Sequence, residues 1–155
     1  MTDTAQSVAA IADRYFQEEG LNCAQAVLRA VAEAKGLMCP ECIPAVALAI
    51  GGGLGHTGGV CGALTGGVMA IGLAVERLSP GSQAARKQAA YAMAGKLVHA
   101  FHEAFGATEC CSILGFSWEA PDAMQRAVSE NVKTVKCSPC VRWAAGNALR
   151  LIEET

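Results

Sequence analysis

Apolar residues recur along this chain at helical rather than alternating spacing. In the stretch from Thr4 to Glu19, Val8, Ile11, Ala12, Tyr15 and Phe16 fall on one face of a helix, and Gly20 ends it. Asn22 is a good amino-terminal cap for a second helix. That helix lines up Cys23, Val27 and Val31, with Ala24 and Leu28, and stops at Gly36. A third short helix is expected from Pro44 to Ile50. A glycine-rich loop follows, and then a long apolar helix from about Val60 to Leu78. Ser79-Pro80-Gly81-Ser82 breaks the pattern, and Ser82 caps a helix running to Phe105, with Tyr91, Leu97, Val98 and Phe101 among its apolar residues. Beyond Gly106, Thr108 is placed to cap a short helix with Cys110, Cys111, Ile113 and Leu114, and Asp122 another with Met124, Ala127 and Val128. Ser138 and Pro139 suit the start of a last helix carrying Val141, Ala144, Ala145, Ala148, Leu149 and Ile152. The expected fold is all-α, a single domain over residues 1–155 with about six or seven helices.

Composition narrows the function classes. A chain of 155 residues can bury a sizeable core. With a net charge of −2 and few aromatic residues, it lacks both the basic patch and the stacking surface of a nucleic-acid binder. No charged residue occurs between Glu41 and Glu76, yet glycine crowds the middle of that run, so a buried helical hairpin is expected rather than a membrane span. The amino terminus shows no basic and apolar leader, and a cytoplasmic location is the expectation. There, eight cysteines point to metal or redox chemistry rather than structural disulfides.

The stretch Gly51-Gly52-Gly53-Leu54-Gly55-His56-Thr57-Gly58-Gly59-Val60-Cys61-Gly62 places one cysteine between a glycine loop and a helix start. Unpaired N–H groups and the positive end of the helix dipole favour a thiolate there. Cys23, Cys110 and Cys137 also fall at or beside helix starts, signalled by Asn22, Thr108 and Ser138-Pro139. Four such starts aimed at one point would make a thiolate-rich centre inside a helical domain. Cys39-Pro40-Glu41-Cys42 and Cys137-Ser138-Pro139-Cys140 have the Cys-x-x-Cys spacing, which lets two sulfurs meet on one ion or on each other. His99 and His102 share a face without a carboxylate at a diagnostic spacing and read as surface histidines. The glycine run lacks the Lys-Ser/Thr of a phosphate loop.

At these residues the chain resembles the C_GCAxxG_C_C family of redox-active proteins. The resemblance rests on Cys23 in Asn22-Cys23-Ala24-Gln25, on Cys61-Gly62-Ala63-Leu64-Thr65-Gly66, on Cys110 after Phe105-Gly106-Ala107-Thr108-Glu109, and on Cys137. It covers nearly the whole chain. A similar cysteine domain is part of the split-Soret cytochromes, which carry an iron–sulfur centre, so the resemblance implies such a cluster here. Cys39, Cys42, Cys111 and Cys140 lie outside the four-cysteine pattern and are secondary candidates for metal ligands. No Cys-x-x-Cys-His is present, and covalent haem is not supported.

Three readings follow. The first is a redox protein whose Cys23, Cys61, Cys110 and Cys137 hold an iron–sulfur cluster, with Gly58, Gly59 and Gly62 supplying N–H groups near it. The second is a thiol–disulfide enzyme or sulfur carrier with Cys61 as nucleophile. The third is a structural zinc site on Cys39, Cys42, Cys137 and Cys140. An electron-transfer or thiol partner is implied but not identified. The small residues of the fourth helix raise the expectation of a homodimer.

Overall fold

The computed structural model describes residues 3–154; Met1, Thr2 and Thr155, at the expected domain bounds, lie outside the described residues. It is all-α. Eight α-helices stand where about six or seven were expected, two of them of only four and five residues. They are α1 (Asp3–Gln17), α2 (Cys23–Ala34), α3 (Gly51–Leu54), α4 (Gly62–Leu78), α5 (Gln83–Phe105), α6 (Cys110–Leu114), α7 (Ala123–Ser129) and α8 (Ser138–Glu153). Among the described residues the β-type pairing is one isolated bridge, Val60 to Glu109. No described helix is long and apolar enough to cross a membrane.

The five long helices α1, α2, α4, α5 and α8 form one core, whose fully buried side chains include Leu28, Leu64, Ile71, Leu97, Phe101 and Leu149. A smaller cluster of Leu114, Phe116, Ala123, Val132 and Cys110 packs at one end. Helix α4 is the centre of the bundle because it carries so little side chain. A Cβ on Gly66 would stand 2.5 Å from the Ala24 carbonyl oxygen, so α2 crosses α4 almost backbone to backbone. A Cβ on Gly67 would meet Leu97 of α5 at 2.9 Å. Gly66 and Gly67, two of the small residues of this helix, are thus used in contacts inside the chain.

Three local expectations are corrected. Pro44 to Ile50 is not an α-helix; it holds only a 3₁₀ turn at Ala45–Ala47. The backbone there closes i to i+3 bonds, Ala47 N–H to Pro44 O and Leu48 N–H to Ala45 O, both at 3.0 Å, and the Asn22 side-chain amide donates to the carbonyls of Ala47 (3.1 Å) and Leu48 (2.9 Å) at its end. The glycine run instead contains the single turn α3, and Gly52, Gly53, Gly55 and Gly58 all have positive φ, joined by Leu54 and His56. Such backbone favours glycine, and it reverses the chain within a few residues. Thr108 and Asp122 do not cap: α6 follows Glu109 and α7 follows Asp122 with no side-chain cap bond. In addition, Tyr91, Met124 and Val128 are exposed rather than core residues.

The close α2–α4 crossing is testable by paired substitutions. Gly66→Ala should destabilise the protein by roughly 1–3 kcal/mol through overpacking. Gly72→Ala, which meets nothing within 4 Å, should stabilise it by about 0.5–1 kcal/mol. Thermal melts followed by circular dichroism measure both, and the same sign of change at the two sites would contradict the crossing.

Candidate functional site: a cavity lined by five cysteines

Cys23 is the first residue of α2, fixed by a capping box. The Gln25 N–H donates to the Asn22 side chain at 2.9 Å, and the Asn22 N–H donates to the Gln25 side chain at 3.1 Å. Cys61 is the residue preceding the first turn of α4, and Cys110 begins α6. Backbone bonds hold these two together: the Cys61 N–H donates to Thr108 O (2.8 Å), the Cys110 N–H to Gly59 O (2.7 Å) and the Cys111 N–H to Gly58 O (3.1 Å). Cys137 closes a π-helical turn, Lys133–Cys137, that leads into α8, and Cys140 lies one helical turn further on. The start of α8 is anchored twice. The Ser138 hydroxyl donates to Asp13 of α1 at 2.5 Å, and the Lys136 ammonium donates to the Leu114 carbonyl at the end of α6.

These anchors bring Cys23, Cys61, Cys110, Cys137 and Cys140 to one cavity of about 310 Å³. Its remaining wall is mostly apolar, with Phe16, Ile113, Leu114, Val132 and Trp118 among the lining residues. Cys111 is half-buried and does not line it. Cys39 and Cys42 do not line it either; they are joined to each other in a disulfide. The two Cys-x-x-Cys pairs are therefore not brought together there. Of the glycines expected at a cofactor, Gly62 lines the cavity, whereas Gly58 and Gly59 stand behind it and use their carbonyls to hold α6. Gly51 and Gly52 line it as well. Gly62 has no room for a side chain, because a Cβ would run into Cys23 Sγ and come within 3.2 Å of the Ile50 carbonyl.

Two residues that the sequence reading missed complete the wall. The Trp118 indole N–H donates to Cys110 Sγ at 3.4 Å, and the His56 ring stacks on the indole, centroids 4.6 Å apart. Neither had a local signal. They are far apart in sequence, and each sits in a loop whose course depends on tertiary contacts. Cys140 did have a signal, since residues three apart on a helix share a face with their neighbours.

The thiols differ in electrostatics. Cys61 is lowered to about 7, mainly by a hydrogen bond from the Cys140 thiol and further by the N–H groups of Leu64 and Ala63 at the start of α4, against the cost of burial. Cys140 is raised, because its proton is held by Cys61 and by burial. Burial pushes Cys23 up to about 12 and Cys137 up to about 12, and the neighbouring cysteines add to both. Burial also raises Cys110, partly offset by Trp118. Cys61 is thus the cavity thiol that ionises most readily, and its charge penalises ionisation of the others.

The fold and the cavity define a class: an all-α domain whose chemistry is that of clustered thiols. Residues 21–151 match the family described as "Putative redox-active protein (C_GCAxxG_C_C)", and the chain belongs to that family. No curated protein and no solved structure matches it.

In metal-free, reduced protein, alkylation of Cys61 by iodoacetamide should rise through about pH 7. Cys140→Ala removes the hydrogen-bond donor, so the rise should move to higher pH. Peptide mass mapping across a pH series reads both, and an unmoved profile in the variant would rule out Cys140 as the stabilising partner.

Proposed function

We propose that the cysteine-lined cavity is the redox centre of this protein and that Cys23, Cys61, Cys110 and Cys137 hold an iron–sulfur cluster in it. One observation carries the reading: the helix starts at Cys23, Cys61 and Cys110, together with the π-helical turn that ends at Cys137 where a helix start was expected, deliver these four thiols to a single cavity of about 310 Å³. Protein interiors are close-packed, and a cavity of this size walled by soft ligands supports the reading that it takes a guest. Among the described residues no group of three or more His, Cys, Asp or Glu side chains is placed to hold a metal ion as it stands, so loading the centre requires the thiols to move together. A single zinc ion needs sulfurs about 2.3 Å from one point, whereas a cluster of several irons spreads its ligands more widely. A cationic group also offsets the mutual repulsion of the thiolates.

When bound, an iron–sulfur cluster supplies one-electron transfer. The chain's own residues do the rest. The N–H groups of Ala63 and Leu64 stabilise negative charge on Cys61, those of Gly52 and Ala24 stabilise it on Cys23, and the Trp118 N–H stabilises it on Cys110. Hydrogen bonds of this kind to cluster sulfurs raise the reduction potential. Phe16, Ile113 and Leu114 limit water.

A second reading has its own observation. Cys61 and Cys140 line the same cavity, and the Cys140 thiol favours a Cys61 thiolate, a nucleophile beside a partner thiol, which favours a thiol–disulfide couple. In that reading Cys61 attacks and Cys140 resolves.

Serine is a poor soft-metal ligand and a weak nucleophile. In anaerobically purified protein, Cys61→Ser should lose most bound iron and visible absorption while keeping its helical circular dichroism. Cys39→Ser and Cys42→Ser should keep both. Iron retained in Cys61→Ser would remove Cys61 from the centre. Absence of iron in the wild type, with a Cys61–Cys140 disulfide on oxidation, would favour the second reading.

A further inference from the structure

The Cys39–Cys42 disulfide has no part in the cavity. It lies in the segment between α2 and the 3₁₀ turn, and both cysteines are half-buried, flanked by the exposed Pro40 and Glu41. It closes a loop with a sequence separation of only 3. Chain-entropy stabilisation grows with loop length, so a ring this small does little to stabilise a fold. The fold around it rests on other bonds. The Cys42 and Ile43 N–H groups donate to the Cys39 carbonyl at 3.0 and 2.7 Å, and the Asn22 side chain ties down Ala47 and Leu48. An accessible disulfide that the fold does not need is free to exchange.

The two sulfurs are not equivalent. A carboxylate oxygen of Glu41 lies 3.6 Å from Cys39 Sγ. In the reduced pair, a Cys39 thiol can donate its proton to that carboxylate, and a Cys39 thiolate would be repelled by it. The hydrogen-bond contact of that carboxylate is with Cys39, so Cys42, one bond further away, carries the negative charge more easily.

We infer that Cys39 and Cys42 form a second, surface redox site, separate from the cavity, that exchanges two electrons with an external dithiol. A thiolate of the dithiol attacks Cys39 Sγ, forming a mixed disulfide. The Cys39–Cys42 bond breaks, and its electron pair leaves on Cys42. The second thiol of the reductant, deprotonated, attacks its own sulfur in the mixed disulfide and releases Cys39, which takes up a proton beside Glu41. The protein gains two electrons, Cys42 is protonated according to the pH, and the reductant leaves as a disulfide.

The test uses the full-length protein and dithiothreitol as the dithiol. After mild oxidation, native protein is titrated anaerobically with dithiothreitol, quenched with iodoacetamide and mapped by peptide mass. Cys39 and Cys42 should become labelled together, with the helical circular dichroism unchanged. Cys61→Ser should give the same result, which separates this site from the fate of the cavity. In a brief pulse Cys42 should label about twofold faster than Cys39, the size of effect expected when one exposed charge lies nearer to one sulfur than to the other. Glu41→Gln should close most of that gap. The inference is overturned if Cys39 and Cys42 are labelled without any reductant, if their reduction requires denaturant or costs helix content, or if Glu41→Gln leaves the ratio unchanged.

Discussion

The missing side chain at Gly62 is the constraint on which the site depends. It lets the first turn of α4 lie directly against Cys23 Sγ and near the Ile50 carbonyl. One turn later Gly66 lies against the backbone of Ala24, the residue after Cys23. The two glycines set the crossing of α2 and α4, so Cys23 and Cys61 are presented from the same pair of helix starts. A methyl group at either place would separate the helices, and the cavity geometry would change with them. The Cys-Gly-Ala-x-x-Gly run is thus a packing device as much as a chemical one.

The remaining cysteines are held by bonds that radiate from this crossing. Backbone pairing between residues 58–61 and 108–111 carries Cys110 to Cys61. Asp13 and the Leu114 carbonyl receive the start of α8 through Ser138 and Lys136, which sets Cys137 and Cys140. Each thiol therefore has its own backbone or side-chain support. The cost is electrostatic: buried thiols close together resist ionising, and the fold lowers only Cys61. That imbalance is what a bound cationic group, or a Cys61–Cys140 couple, would use.

Much of this was legible in the residues. Asn22 with Gln25 three positions on is a capping pattern, and the structure forms both of its bonds. Gly106 ends α5 in a left-handed conformation, as a terminal glycine does. What was not legible depended on distant partners. The turn at Gly51–Leu54 needs a run of positive φ that no helical periodicity announces. The segment Pro44–Ile50 closes only a 3₁₀ turn, and its end is tied to Asn22, more than twenty residues earlier. His56 and Trp118 meet only once the loops are in place. Cys140 was visible as half of a Cys-x-x-Cys pair, but its place beside Cys61, just before α4, was not.

The most direct measurement is quantitative iron and acid-labile sulfide analysis of the wild-type protein, purified and handled without oxygen. The account predicts iron and sulfide in similar amounts, bound to the folded chain and lost together on unfolding. Fully folded protein with neither iron nor sulfide, and with no uptake of either when both are supplied under reducing conditions, would contradict it.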